Sequence, residues 1–300
     1  MGAGIAGVFA RAGYQVRLAD VGESLLRGGL ERLRRAQQIL LDDGALPPDE
    51  ASAALARIRP LTSLEAACDG VQLLVEAVPE HLPLKLELFA RFDRLCPREA
   101  MLTSNSSGLS ITKMAGATGR PELVAGLHFW NPPHLIPLVE VAKGQCTTEA
   151  TATLLLELCR GLGKRPILVW HDVPGFVGNR LQFAVLREAM YMLSEGIATA
   201  EDIDTAMTAG PGRRFPFLGP LRTADLAGLD VFHAISSYLF AELSDAKEPS
   251  AFLDSLVTQG KLGAKTGAGF YEYSPEALDE ILSQRDRVLR HLTKLLDDEP

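Results

Sequence analysis

The spacing of apolar and polar positions changes character near residue 170 of this chain. Ahead of that point, short apolar runs alternate with stretches at helical spacing. Tyr14-Gln15-Val16-Arg17-Leu18-Ala19-Asp20 alternates and predicts a strand that ends in an acid. Val71 to Val78, Ala100 to Thr103, Val124 to Phe129, Leu138 to Val141 and Pro166 to Trp170 predict further strands. Small and apolar residues from Met1 to Ala12 predict a closely packed helix that Gly13 stops. Glu23 to Asp43 predicts a long Arg-rich amphipathic helix ended by Gly44. Pro47-Pro48-Asp49-Glu50 restarts a helix to about Ile58, with Pro and acids suited to a first turn. Leu82 to Leu95, a short helix capped by Ser110, and a helix that Thr147-Thr148-Glu149 opens and that runs to about Gly161 complete the helices. Alternating strands and helices predict an α/β fold with a Rossmann-type, doubly wound, mostly parallel sheet.

Beyond Asp172-Val173-Pro174-Gly175 only helical spacing remains. Phe176–Glu195, Thr199–Met207, Thr223–Leu243, Ala251–Val257 and Pro275–Leu296 predict helices. Two domains follow: 1–172, with a helical arm at about 23–58, and an all-helical 173–300. Asp298-Glu299 belongs to a short acidic tail.

Composition narrows the partners. The 300 residues are 47% hydrophobic and 23% charged, enough to bury a sizeable core. Net charge is −8 and no long Lys/Arg run occurs, which argues against nucleic acid or an anionic membrane as main partner. No segment has the ~18 consecutive apolar residues of a membrane span. Cys68, Cys96, Cys146 and Cys159 show no CxxC and no paired spacing. They predict reduced thiols in a cytoplasmic protein, and no metal site.

The candidate chemistry centres on Gly126-Leu127-His128-Phe129-Trp130-Asn131-Pro132-Pro133, followed by Pro137-Leu138-Val139-Glu140. This reads as strand, proline-forced turn, strand. A hairpin-like fold-back brings His128 and Glu140 together. A carboxylate on one ring nitrogen fixes the tautomer and raises the basicity of the other, which prepares a general base. A histidine at a strand end can equally be a satisfied structural residue.

A glycine-rich helix, a strand and a terminal Asp20 form the back half of a dinucleotide-binding unit, in which the acid accepts hydrogen bonds from the adenosine ribose. The first strand and the earlier glycines of GxGxxG are missing. Without its central strand, such a sheet leaves two strand edges unpaired inside the core. The expectation is that Met1 is not the natural start, and that about ten further residues precede it.

Several motifs resemble one family, the NAD-dependent 3-hydroxyacyl-CoA dehydrogenases. Met1-Gly2-Ala3-Gly4-Ile5-Ala6 resembles the second half of GxGxMGxGIA. Glu76-Ala77-Val78-Pro79-Glu80 with Lys85 resembles EAVxExxxxK, and Ser104-Asn105-Ser106-Ser107 resembles SNTSS. Gly126 to Pro132 resembles GLHFFNP, Asp172 to Arg180 resembles DTPGFIVNR, and Gly263 to Tyr271 resembles GxKTGxGFY. The motifs keep family order from residue 1 to about 273.

The resemblance implies that His128 takes the proton of a 3-hydroxyl as hydride leaves for NAD, and that Glu140 orients it. It implies that Ser107 and Asn179 hold the reacting oxygen or the neighbouring carbonyl. It assigns cofactor contacts to Gly2, Gly4, Asp20, Glu80, Lys85, Ser107, Asn131 and Lys265. NAD is expected over NADP because Asp20 repels a 2′-phosphate. A homodimer through the helical domain is also implied. Gly108 and Gly178 depart from the pattern, the latter replacing a branched residue. The loop Gly210 to Pro220, with Arg213 and Arg214, looks more like the lambda-crystallin and L-gulonate dehydrogenase branch, which oxidises a free hydroxy acid. Arg213 or Arg214 then binds a substrate carboxylate, or is a solvated loop residue. The arm arginines Arg27, Arg32, Arg34, Arg35, Arg57 and Arg59 read as solvated helix charges. A non-catalytic, crystallin-like or cofactor-less protein of the same fold is the alternative of another class.

Overall fold

The structure is a computed structural model, and it describes residues 1–42, 44 and 46–297. Asp43 and the acidic pair Asp298-Glu299 lie outside the described residues. The chain divides into two compact units, the first Met1–Arg180 and the second beginning at Leu181.

The first unit alternates helix and strand. Its elements are α1 (Gly2–Arg11), β1 (Val16–Ala19), α2 (Glu23–Asp42), α3 (Pro48–Ala56), β2 (Ile58–Leu61), α4 (Leu64–Cys68), β3 (Leu73–Glu76) and α5 (Leu82–Leu95). There follow β4 (Met101–Ser104), α6 (Ile111–Ala115), β5 (Val124–Phe129), β6 (Leu138–Lys143), α7 (Glu149–Gly161), β7 (Arg165–Val169) and the start of α8 (Gly178–Ser194). Five strands form one sheet in the order β3-β4-β5-β6-β7. All neighbours are parallel except β5 and β6, the fold-back pair, which are antiparallel.

Two elements were not expected from the pattern. Ile58-Arg59-Pro60-Leu61 is a strand, parallel to β1, and the short helix α4 follows it. Arg59 and Pro60 disguise the strand. A Pro is tolerated there because β2 pairs only with β1 and lies at an edge. The β1-β2 pair forms a two-stranded sheet separate from the five-stranded one. Val16 of β1 and Leu73 and Val75 of β3 nevertheless pack on one cluster with Ile5, Val8 and Leu127.

The sheet is covered on both faces. Leu102 and Val124 meet Phe89 and Phe92 of α5 and Ile111 and Met114 of α6. Ala125, Leu127, Val139 and Val141 meet α1 and Leu155 of α7 on the other face. A fully buried Leu or Phe contributes roughly 1.5–3 kcal/mol, so these two layers fix which residues point each way. His128 and Glu140 share the α5–α6 face by strand alternation, at the ends where β3, β4 and β5 stop. Open α/β sheets bind ligands at that end.

The second unit is helical: the rest of α8, then α9 (Ala200–Ala209), α10 (Pro220–Ala227), α11 (Leu229–Leu239), α12 (Ala251–Thr258) and α13 (Pro275–Asp297). Thr199 and Ser250 cap α9 and α12 with their side chains. The single helix expected over Thr223–Leu243 is two helices. Gly228, at φ 101, ends α10 and begins α11, because a helix cannot continue through that dihedral. No described helix is long and apolar enough to cross a membrane.

Candidate active site

The fold-back places His128 opposite Glu140 in register across the antiparallel β5-β6 pair. His128 Nδ1 lies 2.8 Å from Glu140 Oε2. A carboxylate only accepts, so Nδ1 carries the proton and Nε2 is the accepting nitrogen. Both side chains are buried, Glu140 completely and His128 to 5% exposure. The rings of Trp130 and Phe176 flank the imidazole, with centroids at 5.7 and 6.0 Å.

Glu140 holds four donors. Oε2 takes His128 and the indole N–H of Trp130 at 3.1 Å. Oε1 takes the backbone N–H groups of Val177 and Gly178, at 3.0 and 2.9 Å, where α8 begins. Burial pushes this carboxyl up, but the bonds from His128, Gly178, Val177 and Trp130 outweigh it and hold it below its ordinary value. The turn before α8 is shaped for this. Phe176 sits at φ 47 although it is not glycine, buried at 1% exposure. Such a dihedral persists only where the surroundings over-determine it. Asp172 anchors the same segment, accepting from Ser110 Oγ and the N–H groups of Ile111 and Thr112 at the start of α6.

The polar loop after β4 is built on a second buried cluster. Glu76 accepts from Lys85 Nζ at 2.8 and 2.9 Å, from Ser104 Oγ at 2.6 Å and from Val78 N–H at 2.6 Å. Lys85, only 1% exposed, also reaches Val78 O and Glu80. Glu80 Oε1 then accepts from Ser106 Oγ at 2.5 Å and Ser107 N–H at 3.0 Å. Asn105 Oδ1 accepts from Phe129 N–H at 2.8 Å, which ties the loop to the residue after His128. Asn179 donates from Nδ2 to Ser107 O at 2.8 Å, so these two expected site residues are brought together. The Ser107 side is exposed, while Lys85 faces inward.

Three of the expected cofactor residues, Gly2, Gly4 and Asn131, lie on α1 or beside it. That helix opens with no side-chain cap and no acid in its first turn, leaving its N–H groups for an anion. Gly2 stands against Ala77 in the exit from β3, since an added Cβ would meet Ala77 Cβ at 3.7 Å. At Gly4 an added Cβ would meet Pro133 Cγ at 2.6 Å, so only glycine lets α1 approach this loop. Asp20 is exposed at the end of β1. An open helix N-terminus at a glycine-packed crossing, with an acid closing the next strand, fits a dinucleotide's pyrophosphate and ribose. Asn131 lines a cavity of about 190 Å³ with Gly4, Gly7, Arg32, Gln37 and Pro133. Lys265 and Arg214 are exposed on the second unit.

The pattern missed several polar residues of this site. Trp130, Glu76, Asn105 and Asp172 stand inside recognised motifs, yet spacing gives no sign of their hydrogen bonds. Gln37 had no signal at all. Its amide is buried at 4% exposure, and neither its Nε2 nor its Oε1 has a partner.

Comparison with known proteins agrees with this geometry. The family model "3-hydroxyacyl-CoA dehydrogenase, NAD binding domain" matches residues 1–173, and the model of the C-terminal domain of the same family matches 175–273. The chain is 34% identical over 297 residues to a 5-formyl-3-hydroxy-2-methylpyridine 4-carboxylate 5-dehydrogenase of Mesorhizobium japonicum, covering 99% of this chain and 95% of that one. It is 39% identical over 280 residues to the mitochondrial hydroxyacyl-coenzyme A dehydrogenase of Rattus norvegicus, covering 91% and 88%. A crystal structure of a dehydrogenase for that formyl-pyridine carboxylic acid, described as an NAD+-dependent dismutase, superposes with a TM-score of 0.93 at 34% identity, covering 100% and 96%. With an open helix N-terminus for a dinucleotide and a His–Glu pair at the strand ends, the chain belongs to the 3-hydroxyacyl-CoA dehydrogenase family and is an NAD-dependent oxidoreductase.

Proposed function

We propose that the protein oxidises the 3-hydroxyl of a 3-hydroxyacyl-CoA to the 3-keto form. The His128–Glu140 pair carries this reading. His128 Nε2 takes the hydroxyl proton, and Glu140 stabilises the imidazolium that forms. NAD, when bound, accepts the hydride. Gly2 and Gly4 at the start of α1 would hold the pyrophosphate, and Asp20 would hold the adenosine ribose. Ser107, steadied by Asn179 and Glu80, orients the reacting oxygen, with Lys85 acting behind Glu80. Asn131, which lines a cavity with Pro133, would contact the cofactor. The reading places the enzyme in fatty-acid metabolism. The four free cysteines suit a reducing compartment such as the cytoplasm.

A second reading, a free hydroxy acid or related carboxylate as substrate, has one observation in its favour. The Mesorhizobium relative matches 99% of the chain, whereas the family models end at residue 273, before α13. The test is NAD reduction followed with 3-hydroxybutyryl-CoA, L-gulonate and the formyl-pyridine carboxylate in parallel. Turnover of the thioester alone supports the first reading, and turnover of a free acid alone replaces it. NADH binding without turnover of any hydroxy substrate would favour a non-catalytic protein of this fold.

We infer that the protein is a homodimer through its second unit. Among the described residues of that unit, Leu256 alone of the hydrophobic side chains is buried. Phe183, Phe217, Leu221, Tyr238 and Phe240 are all more than half exposed. Apolar surface on that scale marks an interface, and obligate homodimers resemble a core cut in half.

A further inference from the structure

Glu140 Oε2 is shared. It accepts from His128 Nδ1 at 2.8 Å and from Trp130 Nε1 at 3.1 Å. Trp130 follows His128 by two residues, so both side chains leave the chain on one side. The indole reaches this position because residue 178 has no side chain. An added Cβ at Gly178 would stand 2.3 Å from Trp130 Cζ2, 3.0 Å from Cε2 and 3.2 Å from Cη2. The backbone N–H of that same glycine donates to the other oxygen of Glu140. Residues 130 and 178 therefore contact each other and the same carboxylate. Both also depart from the family motifs, Trp for Phe and Gly for a branched residue.

We propose that Trp130 is a positioning residue for the dyad, admitted by Gly178, which fixes the Glu140 carboxylate and moderates its support of a proton on His128. This rests on the reading of His128 as the base. Oε2 carries one share of the carboxylate charge. With two donors on it, less of that charge serves His128 than with one. Removing the indole N–H leaves Oε2 to His128 alone, so the imidazolium gains stabilisation. The dyad then takes up its proton at a higher pH. Loss of the second donor also frees the carboxylate to rotate about its remaining bonds, which loosens the aim of Nε2.

Strand register puts Glu76 of β3 and Arg165 of β7 on the dyad's side of the sheet, and Glu76 is paired with Lys85. The segment before α8 brings His171 and Asp172, the latter bonded to the start of α6, and α8 brings Arg180. Among the described residues, the side-chain hydrogen bonds to the dyad come from within it and from Trp130, and the remaining ones from the N–H groups of Val177 and Gly178. The indole is thus the group whose removal changes the dyad without altering a charge.

The test uses Trp130→Phe, Gly178→Val and the double variant in the full chain. Two quantities are read: the pH dependence of kcat/KM, and an NMR titration of the His128 ring without substrate, assigned with His128→Gln. Trp130→Phe should move the acid limb and the NMR midpoint upward together by roughly half a pH unit, about threefold in proton affinity. It should lower kcat several-fold and leave NADH affinity unchanged. Gly178→Val should lose roughly tenfold or more in kcat, because the Trp130 ring is in the way. The double variant should recover that loss yet keep the upward-shifted profile. A merely structural Trp130 would leave the midpoint in place. A midpoint within about a tenth of a pH unit of wild type in Trp130→Phe would overturn the proposal. So would a Gly178→Val enzyme as active as wild type. If His128→Gln kept full activity, the base reading would fall, while the NMR midpoint would still report on Trp130.

Discussion

Lys85 sets its ammonium between the two oxygens of Glu76, at 2.8 and 2.9 Å, with both side chains closed to water. The pair lies under the loop that carries Ser107, joined to it through Ser104 and Glu80. Removing one partner of a buried pair leaves an uncompensated charge, at a cost of ~3–5 kcal/mol. Lys85→Met should therefore lower the melting temperature sharply and weaken NADH binding. Glu76→Gln/Lys85→Met should be less damaging than Lys85→Met alone, since no buried charge remains. Thermal unfolding and an NADH fluorescence titration of the wild type, Lys85→Met, Glu76→Gln and the double variant check this. A double variant as unstable as the sum of the singles would show that the two groups are not coupled.

The dyad predicts a different signature. A general base contributes ~10²–10⁴-fold in rate, so His128→Gln should lose that much in kcat with NADH affinity nearly intact. Glu140→Gln should also lower kcat. In addition, it sets a carboxamide against the N–H groups of Val177 and Gly178, and should change the shape of the pH profile. Steady-state kinetics from pH 5 to 10 decides, with ~ tenfold or smaller effects in both variants removing the pair from the mechanism.

Much of this arrangement was legible in the sequence because local rules and packing agree there. The pairing of His128 with Glu140 follows from two apolar runs around a proline turn, and Leu82–Leu95 and Val124–Phe129 begin and end where the pattern put them. What escaped was set by tertiary contact. β2 exists because β1 offers an edge, not because Ile58-Arg59-Pro60-Leu61 favours a strand. Gly228 divides a helical pattern through a dihedral that no periodicity records. The partners of Glu76 and Trp130 are carried by residues up to 28 positions apart, so spacing along the chain cannot show them.

Acid should destabilise the protein through the carboxylates that the fold holds below their ordinary values. For Asp172, burial pushes the carboxyl up, but the Ser110 hydroxyl and the N–H groups of Thr112 and Ile111 hold it below its ordinary value. Glu140 is lowered in the same sense. The unfolded chain then binds more protons than the folded one, so stability rises with pH. The contribution is present above the usual carboxylate range near ~4 and is lost as pH falls through the lower folded values. Denaturant unfolding between pH 3 and 7 should show this slope, and Asp172→Asn should flatten it. A slope unchanged in Asp172→Asn would remove Asp172 as a source.

The second unit predicts an oligomer. If its exposed aromatic and aliphatic side chains meet a second copy, light scattering should return a dimer mass at micromolar concentration. Tyr238→Asp or Phe240→Asp should shift that mass toward the monomer, since a buried unpaired charge disfavours the interface. A concentration-independent monomer mass for the unaltered protein would refute the dimer.

Gly4 sets two rules against each other. It lies inside α1, where replacing glycine by alanine ordinarily stabilises by ~1 kcal/mol. The Cβ so created would stand 2.6 Å from Pro133 Cγ and 3.2 Å from Cδ. Pro133 cannot retreat easily. Its ring is rigid and buried, and its carbonyl accepts a hydrogen bond from the buried ammonium of Lys164. The crossing must open instead, moving Asn131 away from the start of α1. Overpacking of this kind costs ~1–3 kcal/mol, which exceeds the helical gain. Gly4→Ala should therefore lower the melting temperature and weaken NADH binding several-fold. Gly161→Ala is the matched control, because it ends α7 and an added Cβ there meets nothing within 4 Å. That variant should be neutral or slightly more stable, with unchanged NADH affinity. If Gly4→Ala proved as stable as Gly161→Ala and bound NADH as tightly, the close approach of α1 to the proline loop would not be what holds the cofactor site together.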